Sequence, residues 1–210
     1  MHFLAPLIPF LLSATTLSQA APTGTINASK LPVGAIITHC TTPGTIALTF
    51  DDGPYIYTPQ ILDTLAEHGM ESPIPRHPAI RRNRAPNDNP RRSLPAHPRL
   101  LPDLHAPPFL RHTPVVLGAM TDLGYHVIGA SVDTKDFEND NPDTNWISFE
   151  KFKREVDAGG TIVLAHDAHQ YTVEILVDNM LADVERRGLR AVTVGECLGD
   201  PPEYWYRAGR

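Results

Sequence analysis

Three places in this 210-residue chain bring together side chains that can move protons or hold a cation: Asp51-Asp52, Asp133 with Asp136, and His166-Asp167. Paired carboxylates can serve as a general base and a cation ligand, and a histidine beside a carboxylate can serve as a general acid near neutral pH. Each place closes an apolar run, at 45–50, 125–132 and 161–165. One acid at a strand end is an ordinary turn residue. Three in register point to an active site. An Asp-Asp-Gly step after a strand also suits Mg²⁺-dependent phosphotransfer, but that reading calls for a cytosolic chain, and residues 1–20 point to secretion. His169 reads as a loop residue, and Asp167 as a cap for the segment that follows it.

The elements that must position these residues are legible from their punctuation. Thr58-Pro59 reads as N-cap and first helical residue, with Ile61, Leu62 and Leu65 on one face and Gly69 as the stop. Thr113-Pro114 repeats the pattern, with Val115, Leu117 and Met120 inside and Gly124 as terminator. A strand over 125–132, a helix over 148–157, a strand over 161–165, a helix over 172–187 and a strand over 190–194 complete the series. Such alternation implies right-handed crossovers and a parallel sheet, which carries its chemistry at the carboxyl ends of its strands.

Residues 1–20 read as a secretory signal: 3–14 are almost wholly apolar, too short to span a bilayer, and Leu17-Ser18-Gln19-Ala20 offers a cleavage site. A secreted chain, with no membrane association after cleavage, gives its two cysteines a meaning. Cys40 precedes the first strand of the series and Cys197 follows the last, so either one disulfide ties the domain's ends together or both are buried thiols. Asn27-Ala28-Ser29 is a glycosylation sequon if the host is a eukaryote. Residues 21–39 form a polar lead-in, 40–200 the domain, and 201–210 a tail whose Tyr204-Trp205-Tyr206 reads as an edge strip. A net charge of −6 argues against nucleic acid.

Residues 71–105 break the pattern. From 71 to 103 there are eight Pro and seven Arg, with neither helical nor strand periodicity. The segment is either a structureless insertion or the product of a shifted reading frame or misassigned intron.

Taken together, Thr49-Phe50-Asp51-Asp52-Gly53-Pro54, Asp133-Thr134-Lys135-Asp136-Phe137 and Leu164-Ala165-His166-Asp167 resemble the motifs of the polysaccharide deacetylase (NodB-homology) group, particularly its fungal chitin deacetylases. The resemblance implies an α/β fold, a deformed (β/α) barrel of parallel strands, incomplete around 71–105. It implies metal-dependent hydrolysis of N-acetyl groups on chitin or a related N-acetylglucosamine polymer by a secreted monomer. Asp52 would hold Zn²⁺ or another divalent metal and Asp51 would be the base. His166 would be the acid, oriented by Asp136. The Phe109 N–H would serve the oxyanion and Leu164 the acetyl methyl. The family's His-[Ser/Thr]-x-x-His motif is absent: no two His lie four apart between Met70 and Phe109, and the remnant is His97 with Ser93 before it. Ala106 stands where an Arg is expected. Zinc binding should therefore be weak or absent, and a non-catalytic wall-binding protein is the competing reading.

Overall fold

The computed structural model describes residues 31–70, 100–102, 104–105 and 112–208. In chain order the strands are β1 (Ile36–Ile37), β2 (Thr45–Asp51), β3 (Leu100–Pro102), β4 (Leu104–His105), β5 (His126–Ile128), β6 (Val132–Asp133), β7 (Ile162–His166), β8 (Arg190–Ala191) and β9 (Tyr206–Ala208). The helices are α1 (Thr58–Glu67), α2 (Pro114–Leu123), α3 (Asn145–Asp157), α4 (Val177–Arg186) and α5 (Val194–Cys197). The leader 1–20 and the Asn27 sequon lie outside the described residues.

β2 and β7 form the spine of a parallel sheet ordered β6-β7-β2-β8, and β1, β5 and β4 form a second parallel sheet. Because successive side chains on a strand face opposite ways, parity assigns each residue to a layer. Ile46 of β2 and Val163 and Ala165 of β7 pack with Ile61 of α1, Phe152 of α3 and Met180, Leu181 and Val184 of α4. Ala47 and Ile162, one residue out of phase, pack on the other side with Ile128, Val192, Cys197 and Leu198. A strand covered on both faces must be apolar throughout, which is why β7 reads as an unbroken Ile-Val-Leu-Ala run.

Several sequence expectations change here. The single strand over 125–132 is two: β5 belongs to the sheet of β1, and β6 to that of β7. Between them Gly129 donates its N–H to the Ile37 carbonyl at 2.8 Å, and Ser131 donates to that of Ile162 at 3.0 Å, so the chain crosses from one sheet to the other. Within 71–105, where no strand was expected, β3 pairs antiparallel with β9 and β4 parallel with β5. Tail residue Trp205 lies against Gly195, where a Cβ would come within 2.1 Å of its ring nitrogen, consistent with an edge strip.

Helix ends follow their punctuation in part. Thr113 caps α2 by accepting the Val116 N–H at 3.3 Å, and Gly69, Gly124 and Gly188 all take left-handed φ. Thr58, however, is the first residue of α1, with Tyr57 as the cap, because its hydroxyl is engaged elsewhere. Val115 is 82% exposed. The half-buried stripe of α2 runs through Val116, Leu117 and Met120 instead, which leaves Val115 on the outer side. α3 begins at Asn145, earlier than its apolar pattern shows, since Asn145 and Ser148 are buried polar residues. The 172–187 helix opens with a π-helical turn, Thr172–Leu176, and the strand expected over 190–194 stops at Ala191. Thr193 then caps α5, accepting the Glu196 N–H at 3.2 Å.

Cys40 and Cys197 are joined, closing a loop of sequence separation 157. The Thr41 and Thr42 N–H groups both donate to the Cys197 carbonyl, at 3.0 and 2.9 Å. The bridge therefore fastens α5 to the entry of β2. On the chain-entropy account, closing so long a loop stabilises by about 2–5 kcal/mol. Cys40→Ser, or reduction of the wild type, should lower the unfolding free energy by that margin, with a lower urea midpoint and a steeper slope because the uncrosslinked denatured chain exposes more surface. Equal midpoints with and without reductant would show that the bridge contributes nothing.

Candidate active site

The register of β2 on β7 sets the site. Ala47 pairs with Ile162, and four steps later Asp51 pairs with His166. Paired residues on parallel neighbours point to the same face, here the one shared with Ala47 and Ile162. Leu164 has the same parity and pairs with Thr49 and Asp133. The carboxylate, the imidazole and the leucine thus line one side of the sheet at its carboxyl end.

Asp136 enters from the turn after β6, and Lys135 just before it adopts a left-handed φ of 53°. The Asp136 side chain is fully buried (0%), beside a His166 side chain 14% exposed. Three donors meet it: His166 Nδ1 at 2.8 Å on Oδ1, with the His166 backbone N–H at 2.7 Å and the Thr172 hydroxyl at 2.8 Å on Oδ2. Burial pushes the Asp136 carboxyl up, but the hydrogen bond and charge of His166, aided by Thr172, outweigh it and hold it below the usual range. The same hydrogen bond raises His166 against the opposing effect of burial, and the charges of Asp136, Asp52 and Asp51 add to it. With Nδ1 committed to Asp136, Nε2 is the ring nitrogen left for proton transfer. Phe137 and His169 each meet the ring edge-on, with centroids 5.5 and 5.8 Å away.

Asp51 is half-buried, and burial raises its carboxyl; the charges of Asp52, Asp136 and Asp167 push the same way, and that of His166 opposes them. Asp52 is exposed with a φ of 66°, which turns the chain sharply after Asp51. The left-handed region costs a residue with a Cβ about 1–2 kcal/mol, and Asp is among the few that visit it.

The strand-end pairs expected from sequence are therefore unequal. Asp51, Asp136 and His166 come together. Asp133 does not join them: it pairs with Lys135 Nζ at 2.9 Å and accepts the Lys135 N–H. His169 sits in a loop with Asp140 at 3.2 Å. Asp167 does not cap the segment after it; its carboxylate reaches back to the Thr58 hydroxyl. Thr172 was not foreseen, and nothing in the sequence marks it, since the π turn that aims its hydroxyl has no signature there. Phe109, Ala106 and His97 lie outside the described residues. Among the described residues no group of three or more His, Cys, Asp or Glu side chains converges to hold a metal. Asp52 alone does not make a site for Zn²⁺, which needs at least three protein ligands.

A family model described as polysaccharide deacetylase matches residues 38–73. The chain is 37% identical over 238 residues to a chitin deacetylase of Colletotrichum lindemuthianum, covering 91% of this chain and 96% of that protein. It is 39% identical over 214 residues to a chitin deacetylase of Arthroderma benhamiae, covering 84% of this chain but 58% of that protein's length. The solved chitin deacetylase of C. lindemuthianum superposes with a TM-score of 0.69 at 34% identity, over 86% of this chain and 98% of that one.

The Asp136–His166 pair makes stability depend on pH from both sides. His166, raised on folding, stabilises fully below the ordinary imidazole value and loses this as pH climbs through its elevated one. Asp136, lowered on folding, stabilises above the ordinary carboxylate value and loses this as pH falls through its depressed one. Asp136→Ala should cost about 3–5 kcal/mol between those limits and flatten both slopes. Urea midpoints measured across pH, with the His166 titration followed by NMR, check this; an unmoved imidazole would contradict it.

Proposed function

The chain belongs to the polysaccharide deacetylase family, and from that membership we propose that it hydrolyses N-acetyl groups from an N-acetylglucosamine polymer such as chitin. The observation that carries this reading is the pairing of Asp51 with His166 on one face, with Asp136 buried behind the ring. Amide hydrolysis needs a base for the attacking water, a stabilised oxyanion and a proton for the leaving amine. Asp51, made more basic by burial and by its acidic neighbours, takes a proton as the water oxygen bonds to the acetyl carbon. His166 Nε2 then donates its proton to the nitrogen as the carbon–nitrogen bond breaks, releasing acetate and a free amine. Asp136 keeps the imidazole charged and oriented. Adjacent parallel strands run about 4.8 Å apart, so base and acid can flank a single acetyl group. Leu164, on the same face, lines the space for its methyl, and the Phe109 N–H serves the oxyanion.

The family is in general divalent-metal dependent. In this chain the motif that would supply two histidines is missing, Asp52 is the one assigned ligand, and His97 is a poor substitute with Ser93 four residues before it. Retention of Zn²⁺ or another divalent metal is therefore weak, and turnover is slow. Secretion after cleavage within 1–20, a glycan at Asn27 if the host is a eukaryote, and action as a monomer in the extracellular space or at a cell wall complete the proposal. The missing histidines also support a second reading, a wall protein that binds glycan without hydrolysing it.

On N-acetylglucosamine oligomers the wild type should release acetate slowly, and Asp51→Asn and His166→Ala should each lower that rate by about 10²–10⁴-fold. Acetate release unaffected by both substitutions would refute the assignment. Chitin binding without any acetate would favour the second reading. After dialysis, elemental analysis should find well under one zinc per chain; one tightly held zinc would overturn the weak-retention part alone.

A further inference from the structure

Asp167 has no part in the acid–base steps above, yet it is only 3% exposed. Its backbone N–H extends the β2–β7 ladder one step further, donating to the Asp51 carbonyl at 3.3 Å. Its side chain turns back beneath the 51–58 loop. There Oδ2 accepts the Thr58 hydroxyl, and Thr58 Oγ1 in turn accepts the Tyr55 N–H at 2.7 Å. Gly53 rests directly on the carboxylate: a Cβ at that position would lie 2.1 Å from Oδ2 and 2.6 Å from Cγ. One buried acid thus touches the loop at its start, at its turn and, through Thr58, at its end. Burial pushes the Asp167 carboxyl up against the pull of the Thr58 hydroxyl, so the group is held there despite the loss of water.

We propose that Asp167 is a positioning residue, clamping the Gly53–Tyr55 turn through Thr58 and so fixing Asp52 relative to Asp51 and His166. Asp52 holds a left-handed φ, a conformation that persists only where its surroundings enforce it. Asp52 is also exposed, so its own side chain is not wedged in place by packing. The enforcement comes from below, from the Asp167 carboxylate and the backbone it touches. The effect on turnover rests on the deacetylase reading; the clamp itself does not.

Amide hydrogen exchange over residues 51–58 tests the clamp without requiring turnover. In Asp167→Leu and in Thr58→Val, exchange there should quicken about tenfold or more, while β7 and α4 keep their protection. Asp167→Asn retains an acceptor for Thr58 and should stay near wild type, and the double variant Asp167→Leu/Thr58→Val should be no worse than Asp167→Leu alone. Where acetate release is measurable, kcat should fall about 10- to 100-fold in Asp167→Leu with KM little changed. Unchanged exchange over 51–58 would overturn the clamp. So would an Asn variant as loose as the Leu variant, or a loosening spread evenly over the core. A wild type that releases no acetate would defeat the deacetylase reading and leave the exchange result to decide the clamp.

Discussion

Parallel pairing of β2 with β7 is the constraint on which the rest depends. Five consecutive pairs run from Ala47–Ile162 to Asp51–His166. Side chains alternate, so a slip of one residue would turn Ile46 or Val163 out of the α3–α4 core and put Asp51 and His166 on opposite faces. Burial on both faces forbids the slip energetically. A polar contact opposes it as well: Thr49 donates to the Val163 carbonyl at 2.7 Å. The site therefore inherits its precision from the core. No flexible loop has to bring Asp51 to His166.

Asp136 reaches the same place by another route. β6 is only two residues long, but its pairing of Val132 with Val163 and Asp133 with Leu164 aligns the following turn with the end of β7. Left-handed Lys135 then drops Asp136 behind the imidazole. On the far side the π-helical turn places the Thr172 hydroxyl within reach of the same carboxylate. Such turns shift a helix by one residue and recur at functional sites. Two strands, a turn and a helix start thus converge on one buried acid, all of whose contacts come from hydrogen-bond donors. That explains how a charge can be tolerated at full burial.

What the sequence made legible, and what it hid, follows from the range of each interaction. Asp51 and His166 were readable because a carboxylate or imidazole at the end of an apolar run is a local pattern, whereas the choice of Asp136 over Asp133 rested on the resemblance to the family's motif. Thr113 and the glycines at 69, 124 and 188 were readable from local patterns too. The Cys40–Cys197 bridge was one of two possibilities, and the fold chose between them. The division of 125–132 was hidden, because Gly129 is held by Ile37 and Ser131 by Ile162, both partners remote in sequence. Thr58 looked like a cap by spacing, but Asp167, 109 residues away, takes its hydroxyl instead. Thr172 carried no local mark at all.

The protonation states need to be compatible as well as the positions. A base must be ionised and an acid protonated at one pH, so the working window lies above the value for Asp51 and below that for His166. Burial and neighbouring carboxylates raise Asp51, which strengthens it as a base but narrows the window from below. Asp136 raises His166 and widens the window from above. The Asp136 charge also pushes Asp51 up, which returns part of that gain from below, while the charge of the His166 ring pulls Asp51 back down. The residue that fixes the imidazole in space also keeps the acid and the base usable together.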